Sequence, residues 1–227
     1  MFVKLFKLIK TISFLSLFLL LQGSLWAEEY LADLTTAGNL NGVKAYLKKG
    51  GDINQIKHNN NGYCFNGLMD AKSLPIAKLL VENGIDIDQR MPDNCSNSGS
   101  TALYNLIFLG KTEIVNYLIS KKANLNFGYL DCSPLWVAAY TGKVEIARIL
   151  IKSGANVNAR CNENNNKSFP LIEAVFNGNF EMVKLLVESN ADINLKDPRG
   201  FSSYEVAKDR EDRIPRIFAY LKSKGAK

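Results

Sequence analysis

The chain has 227 residues, with 28 basic against 22 acidic side chains and a net charge of +6. That length suits one elongated domain, and no linker rich in Pro, Gly or Ser divides it. The mild charge, on residues such as Lys44, Lys78, Arg148 and Lys184 spread along predicted solvent faces, argues against a basic nucleic-acid stripe. A single histidine, His58, and the lack of a Cys-x-x-Cys pair or a glycine-rich phosphate loop leave no spelled-out catalytic, metal or cofactor site.

Residues 1–27 come first. Lys4, Lys7 and Lys10 precede the apolar run Thr11 to Leu21 and then Gly23-Ser-Leu-Trp-Ala27. A basic start, a short apolar core and a small residue at the end are the layout of a secretory signal peptide. We expect cleavage after Ala27, although Leu25 fits the usual small residue poorly. The alternative is an uncleaved anchor, against which the apolar run falls short of the ~20 residues of a membrane span. No cysteine near Ala27 suggests lipid attachment. The three lysines hold half of the net charge and leave +3 for the remainder.

From residue 28 the pattern repeats. Gly99-Ser-Thr-Ala-Leu103, Asp131-Cys-Ser-Pro-Leu135, Lys167-Ser-Phe-Pro-Leu171 and Gly200-Phe-Ser-Ser-Tyr204 each open a helical stretch. A second stretch follows in Gly110-Lys-Thr-Glu-Ile-Val-Asn-Tyr-Leu-Ile119, Gly142-Lys-Val-Glu-Ile-Ala-Arg-Ile-Leu-Ile151 and Gly178-Asn-Phe-Glu-Met-Val-Lys-Leu-Leu-Val187. Each unit closes on Ala123-Asn-Leu-Asn126, Ala155-Asn-Val-Asn158 or Ala191-Asp-Ile-Asn194. Ile114, Leu118, Ile146, Leu150, Val183 and Leu186 make an apolar stripe at helical spacing, which a unit buries only against a neighbour.

This pattern resembles the ankyrin repeat, a turn–helix–helix unit of about 33 residues opened by Thr-Pro-Leu-His-x-Ala. Aligning the opening residue on Glu29, Tyr63, Thr101, Ser133, Phe169 and Ser202 extends the resemblance over residues 28–224. The implied fold is an all-α ankyrin-repeat solenoid of about six helix-turn-helix units with hairpin-like fingers. A repeat domain over 28–227 holds units near 28–57, 58–91, 97–127, 129–160, 165–196 and 197–224, the first and last acting as caps. Glu28 and Glu29 begin the first helix, and Asp209-Arg-Glu-Asp-Arg213 makes the last unit polar. The second unit departs most. Its first helix, Tyr63-Cys-Phe-Asn-Gly-Leu-Met69, lacks the Pro and the Ala pair, and Lys72 replaces the inter-helix glycine.

The resemblance places Cys64, Cys95, Cys132 and Cys161 at the turn side of the stack. Cys64 with Cys95 and Cys132 with Cys161 would each join adjacent turns, in an exported protein, through long connections with slack. Three connectivities and four free thiols remain open readings. The resemblance also puts the two residues before each inter-helix glycine on the concave side: Thr36-Ala37, Asp70-Ala71, Phe108-Leu109, Tyr140-Thr141 and Phe176-Asn177. Phe108, Tyr140 and Phe176 would then form a ladder, with Leu109 beside it and Phe127, Tyr129 and Leu130 extending it. Such rings also serve simply to cover the neighbouring helix, and Trp136 reads as core. Asn94-Cys-Ser and Asn166-Lys-Ser match the N-glycosylation pattern at a rate expected by chance.

The function this implies is an exported, periplasmic or secreted, non-enzymatic module. It would bind a partner protein through its concave face and finger tips as a monomer, without cofactor, metal, nucleic acid or membrane contact beyond the signal segment. An inhibitor or immunity-like factor, or a secreted host-directed effector, would use the same surface.

Overall fold

The computed structural model describes residues 30–126, 128–161 and 168–225. The expected signal segment, Glu28, Glu29, Phe127, Asn166 and Lys167 lie outside them. Two helices each come from the first unit, α1 (Leu31–Thr36) and α2 (Leu40–Lys48). A hairpin of β1 (Lys57–His58) and β2 (Cys64–Phe65) follows, then α3 (Leu74–Glu82). The third unit holds α4 (Ala102–Phe108) and α5 (Thr112–Ser120), and the fourth α6 (Pro134–Tyr140) and α7 (Val144–Lys152). The fifth holds α8 (Pro170–Phe176) and α9 (Phe180–Glu188), and the sixth α10 (Ser203–Asp209) and α11 (Pro215–Ser223).

First helices pack on first helices, α4 on α6, α6 on α8 and α8 on α10, while second helices form a parallel row from α2 to α11. Side-chain volume sets the spacing. Ala138, Ala139 and Ala174 are fully buried where α6 and α8 approach their neighbours, and the stripe Ile114, Leu118, Ile146, Leu150, Val183 and Leu186 is buried between second helices. Helix starts are encoded locally. Thr101 accepts from the Tyr104 amide, Ser133 from that of Trp136, and Ser202 forms a reciprocal capping box with Glu205. Gly142, between α6 and α7, has φ +70°, a left-handed turn that a side chain would strain.

The closing motifs tie units together by a device the apolar pattern does not reveal. Within each, the first Asp or Asn side chain accepts from an amide two residues on, as Asp86 does from Asp88 and Asn156 from Asn158. The later residue then reaches the next unit. Asn54 Oδ1 accepts from the Asp86 amide at 2.8 Å, Asp88 Oδ1 from that of Asn124 at 2.8 Å, and Asn158 Oδ1 from that of Asp192 at 2.9 Å.

The second unit corrects the expectation of a first helix over Tyr63 to Met69. Tyr63 leads into β2, and residues 66–70 form a turn, so the described residues contain eleven α-helices rather than twelve. Asn66 is the cause. Its Oδ1 accepts from the amides of both Leu68 and Met69 at 3.0 Å, which offers that backbone a turn in place of a helix. Gly67 lets the turn approach α1, since a Cβ there would stand 2.8 Å from Leu31 Cγ. With no helix to end before it, Lys72 needs no left-handed φ and has none.

Candidate functional site

Beside the hairpin that replaces a helix in the second unit lies a groove of about 360 Å³. Its walls come from three units: Tyr63, Phe65, Asn97 and Ser100 from the fingers, Tyr104, Asn105 and Phe108 from α4, Tyr129 from the next finger, and Trp136 and Tyr140 from α6. Trp136 and Tyr140 lie four apart on one helix face and stack, centroids 5.2 Å apart and planes at 7°. Tyr104 meets Tyr129 edge to face at 6.3 Å.

The expected ring ladder is only partly one site. Phe108 is 52 % exposed and Tyr140 50 %, and both line the groove with Tyr129. Phe176 is 58 % exposed but lies outside it, with the Arg210 guanidinium 4.5 Å from its ring centre and an Arg210 hydrogen bond to its carbonyl. Leu109 is half-exposed and does not line the groove. Phe127 lies outside the described residues, as does the Leu130 side chain.

Trp136 combines both roles. It is nearly buried, as a core residue would be, yet one face forms the groove floor. Its Nε1 is buried without a hydrogen-bond partner among the described residues. Tyr63, Phe65 and Tyr104 escaped the sequence reading because only the hairpin brings the first two over α4. The Asn66-Gly67 pair, a turn signal, was the available hint.

A carboxylate sits in register with the ladder. Asp70 occupies the position equivalent to Phe108, and burial raises its carboxyl above the ordinary value of 3.8. The hydrogen bond donated by Asn105 Nδ2 at 3.2 Å opposes that shift in part. The same Nδ2 donates to the Met69 carbonyl at 3.0 Å and so ties α4 to the turn.

The fingers are held by sulfur and by a side-chain amide. Cys64 and Cys95 meet at disulfide distance with Cα atoms 5.7 Å apart, and Cys132 and Cys161 with Cα atoms 3.9 Å apart. Packed helices stand about 8–10 Å apart, so the loops make this approach. Beside the first pair, Asn97 Oδ1 accepts from the Cys64 amide at 2.8 Å while its Nδ2 donates to the Cys64 carbonyl at 2.9 Å. One side chain thus completes the backbone pairing that a further strand would supply. His58, the chain's single histidine, faces Cys64 across the hairpin, its Nδ1 3.2 Å from Cys64 Sγ.

A row of short helices stacked on longer ones, with fingers at one edge and a ring-lined groove, defines a helical-repeat recognition scaffold. A family model described as ankyrin repeats (3 copies) matches residues 68–161 and 124–197, together more than half of the chain. The chain belongs to the ankyrin-repeat family. Repeats of this family are generic protein–protein interaction modules and typically non-enzymatic. No curated protein matches the chain. Among the described residues, no helix is long and apolar enough to cross a membrane.

Proposed function

We propose that the protein is an exported, non-enzymatic module that binds a partner protein in the concave groove, with an apolar or aromatic side chain of the partner seated between Phe108, Tyr129 and Tyr140. The observation that carries this reading is the exposure of Phe108 and Tyr140. Rings that merely covered the neighbouring helix would be buried by it, whereas these keep about half of their surface open around a concave floor. Aromatic walls supply contact area at modest entropic cost. A larger depression, about 500 Å³, lies against α5 and is lined by Asn116, Ile119, Ser120, Lys122, Ala123, Leu125 and Ser153. It carries no ring and offers less to an apolar anchor.

Export rests on residues 1–27 and on the cysteine pairs, which persist in oxidising compartments. Cleavage after Ala27 leaves a monomer of one repeat domain. Whether the bound partner is a scaffolded protein, an inhibited one or a host target sets the biological role, and all three engage the same groove.

The test is capture from the native envelope or secreted fraction, comparing wild type with Phe108→Ser/Tyr140→Ser and with Phe176→Ser. Circular dichroism checks that each variant is folded. After cleavage Trp136 is the sole tryptophan, so its emission reports groove occupancy by any captured protein. The groove reading expects loss of capture in the double variant, on the order of a thousandfold for about 4 kcal/mol of lost contact, and retention with Phe176→Ser. Retention by a folded double variant moves the site elsewhere.

A further inference from the structure

We infer that His58, Cys64 and Cys95 form a redox-gated site for a borderline-soft divalent cation of the zinc type. The disulfide closes the site, and its reduction opens it. Three independent placements converge there. His58, the only histidine in the chain, is paired with Cys64 across the hairpin, and this register sets both side chains on one face. Cys95 arrives from the next finger, which Asn97 fixes against the Cys64 backbone. His58 Nδ1 and the two Sγ atoms all lie within 4.8 Å of one another.

The distances suit a tetrahedral cation. Bond lengths of about 2.3 Å to sulfur and about 2.0 Å to nitrogen put two thiolates about 3.8 Å apart and a thiolate about 3.6 Å from the imidazole nitrogen. His58 Nδ1 is already 3.2 Å from Cys64 Sγ. The sulfurs need only separate, and the Cα spacing of 5.7 Å leaves that to side-chain rotation. Both cysteines are buried while His58 is exposed, so a fourth position on the histidine side falls to water. Two thiolates in a buried site strongly favour a bound cation over remaining unpaired.

The redox step balances with a phosphine as reductant. The phosphine attacks one sulfur, the S–S bond breaks, and water supplies the oxygen of the phosphine oxide together with the two protons that complete the thiols. Metal binding then releases those protons. Tyr63 and Phe65 flank Cys64 and line the groove, so the exchange of bridge for cation occurs at the groove's edge. Cys132 and Cys161 have no histidine available and serve as an internal control.

The experiment titrates cobalt(II), a spectroscopic stand-in for zinc, into the purified protein before and after phosphine reduction. Absorption reads the thiolate-to-cobalt band and circular dichroism the fold. The site predicts no band when oxidised and a one-equivalent band when reduced. The band should persist in Cys132→Ser/Cys161→Ser, and His58→Gln should weaken binding at least tenfold. If the reduced chain loses helicity, one equivalent of cobalt should restore it together with the band. The inference is overturned by a folded reduced chain without a band, by an unfolded one that cobalt does not restore, by a band retained in Cys64→Ser, or by unchanged affinity in His58→Gln.

Discussion

Asp70 shows how one residue carries a conflict between fold and surface. Equivalent positions in the third, fourth and fifth units hold Phe108, Tyr140 and Phe176, which tolerate partial burial, whereas Asp70 carries a charge into the same environment. Desolvation raises its folded pKa above the unfolded value of 3.8, so folding disfavours the ionised form. The stabilising contribution is full below 3.8 and is lost as pH rises through the raised folded value. Asp70→Asn keeps an oxygen to accept from Asn105 and removes the charge. It should therefore have a higher urea midpoint than wild type at neutral pH, a difference that vanishes as pH falls below 3.8. A constant difference across that range would mean that the charge is adequately solvated. Left-handed positions show the same economy at Lys122 and Asn190, φ +69° and +65°, where Gly84 and Gly154 serve in other units. Asn accepts that conformation more readily than Lys does.

At the scale of elements, the regular units were legible because an apolar stripe, a capping hydroxyl and a left-handed glycine recur together, each with a local physical cause. The second unit was not, because its outcome turns on a competition. Ser133 caps a helix from outside it, whereas Asn66 bonds amides that a helix would need and so converts the segment to a turn. The groove inherits this difference. Phe108, Tyr129 and Tyr140 were visible from their positions in the repeat, but Tyr63, Phe65 and the His58–Cys64 contact depend on a hairpin register that no periodicity announces. Asn97 is the strut of that arrangement. Asn97→Ala leaves the buried amide and carbonyl of Cys64 without partners and should cost about 3 kcal/mol. Chemical denaturation under oxidising conditions measures it. A loss below about 1 kcal/mol would mean that the disulfide and the Ser96 hydrogen bonds to the Asn61 and Gly62 carbonyls hold the two fingers together without it.

At the scale of the whole molecule, stability accumulates between neighbours, so the weakest interior interface decides where the stack breaks. The second unit contributes one helix, α3, to its neighbours, and meets α1 through its short turn and the Lys72 amide, which donates to the Thr35 carbonyl, rather than through a helix. The Cys64–Cys95 bridge spans the boundary between this unit and the third, joining positions 31 apart in sequence, and Cys132–Cys161 joins positions 29 apart between the fourth and fifth. Each contributes on the order of 3.5 kcal/mol by restricting the unfolded chain. Reduction removes both contributions, but their loss falls on unequal neighbours. The third to fifth units keep two packed rows of helices, α4, α6 and α8 against each other and α5, α7 and α9 beside them. The second keeps one. Amide exchange on the reduced chain, read without added metal, should therefore lose protection in α1, α2 and α3 well before α4 to α9. In the oxidised chain, α3 should exchange more like α5. If α6 and α8 open first instead, the Cys132–Cys161 bridge rather than helix packing holds the centre of the stack.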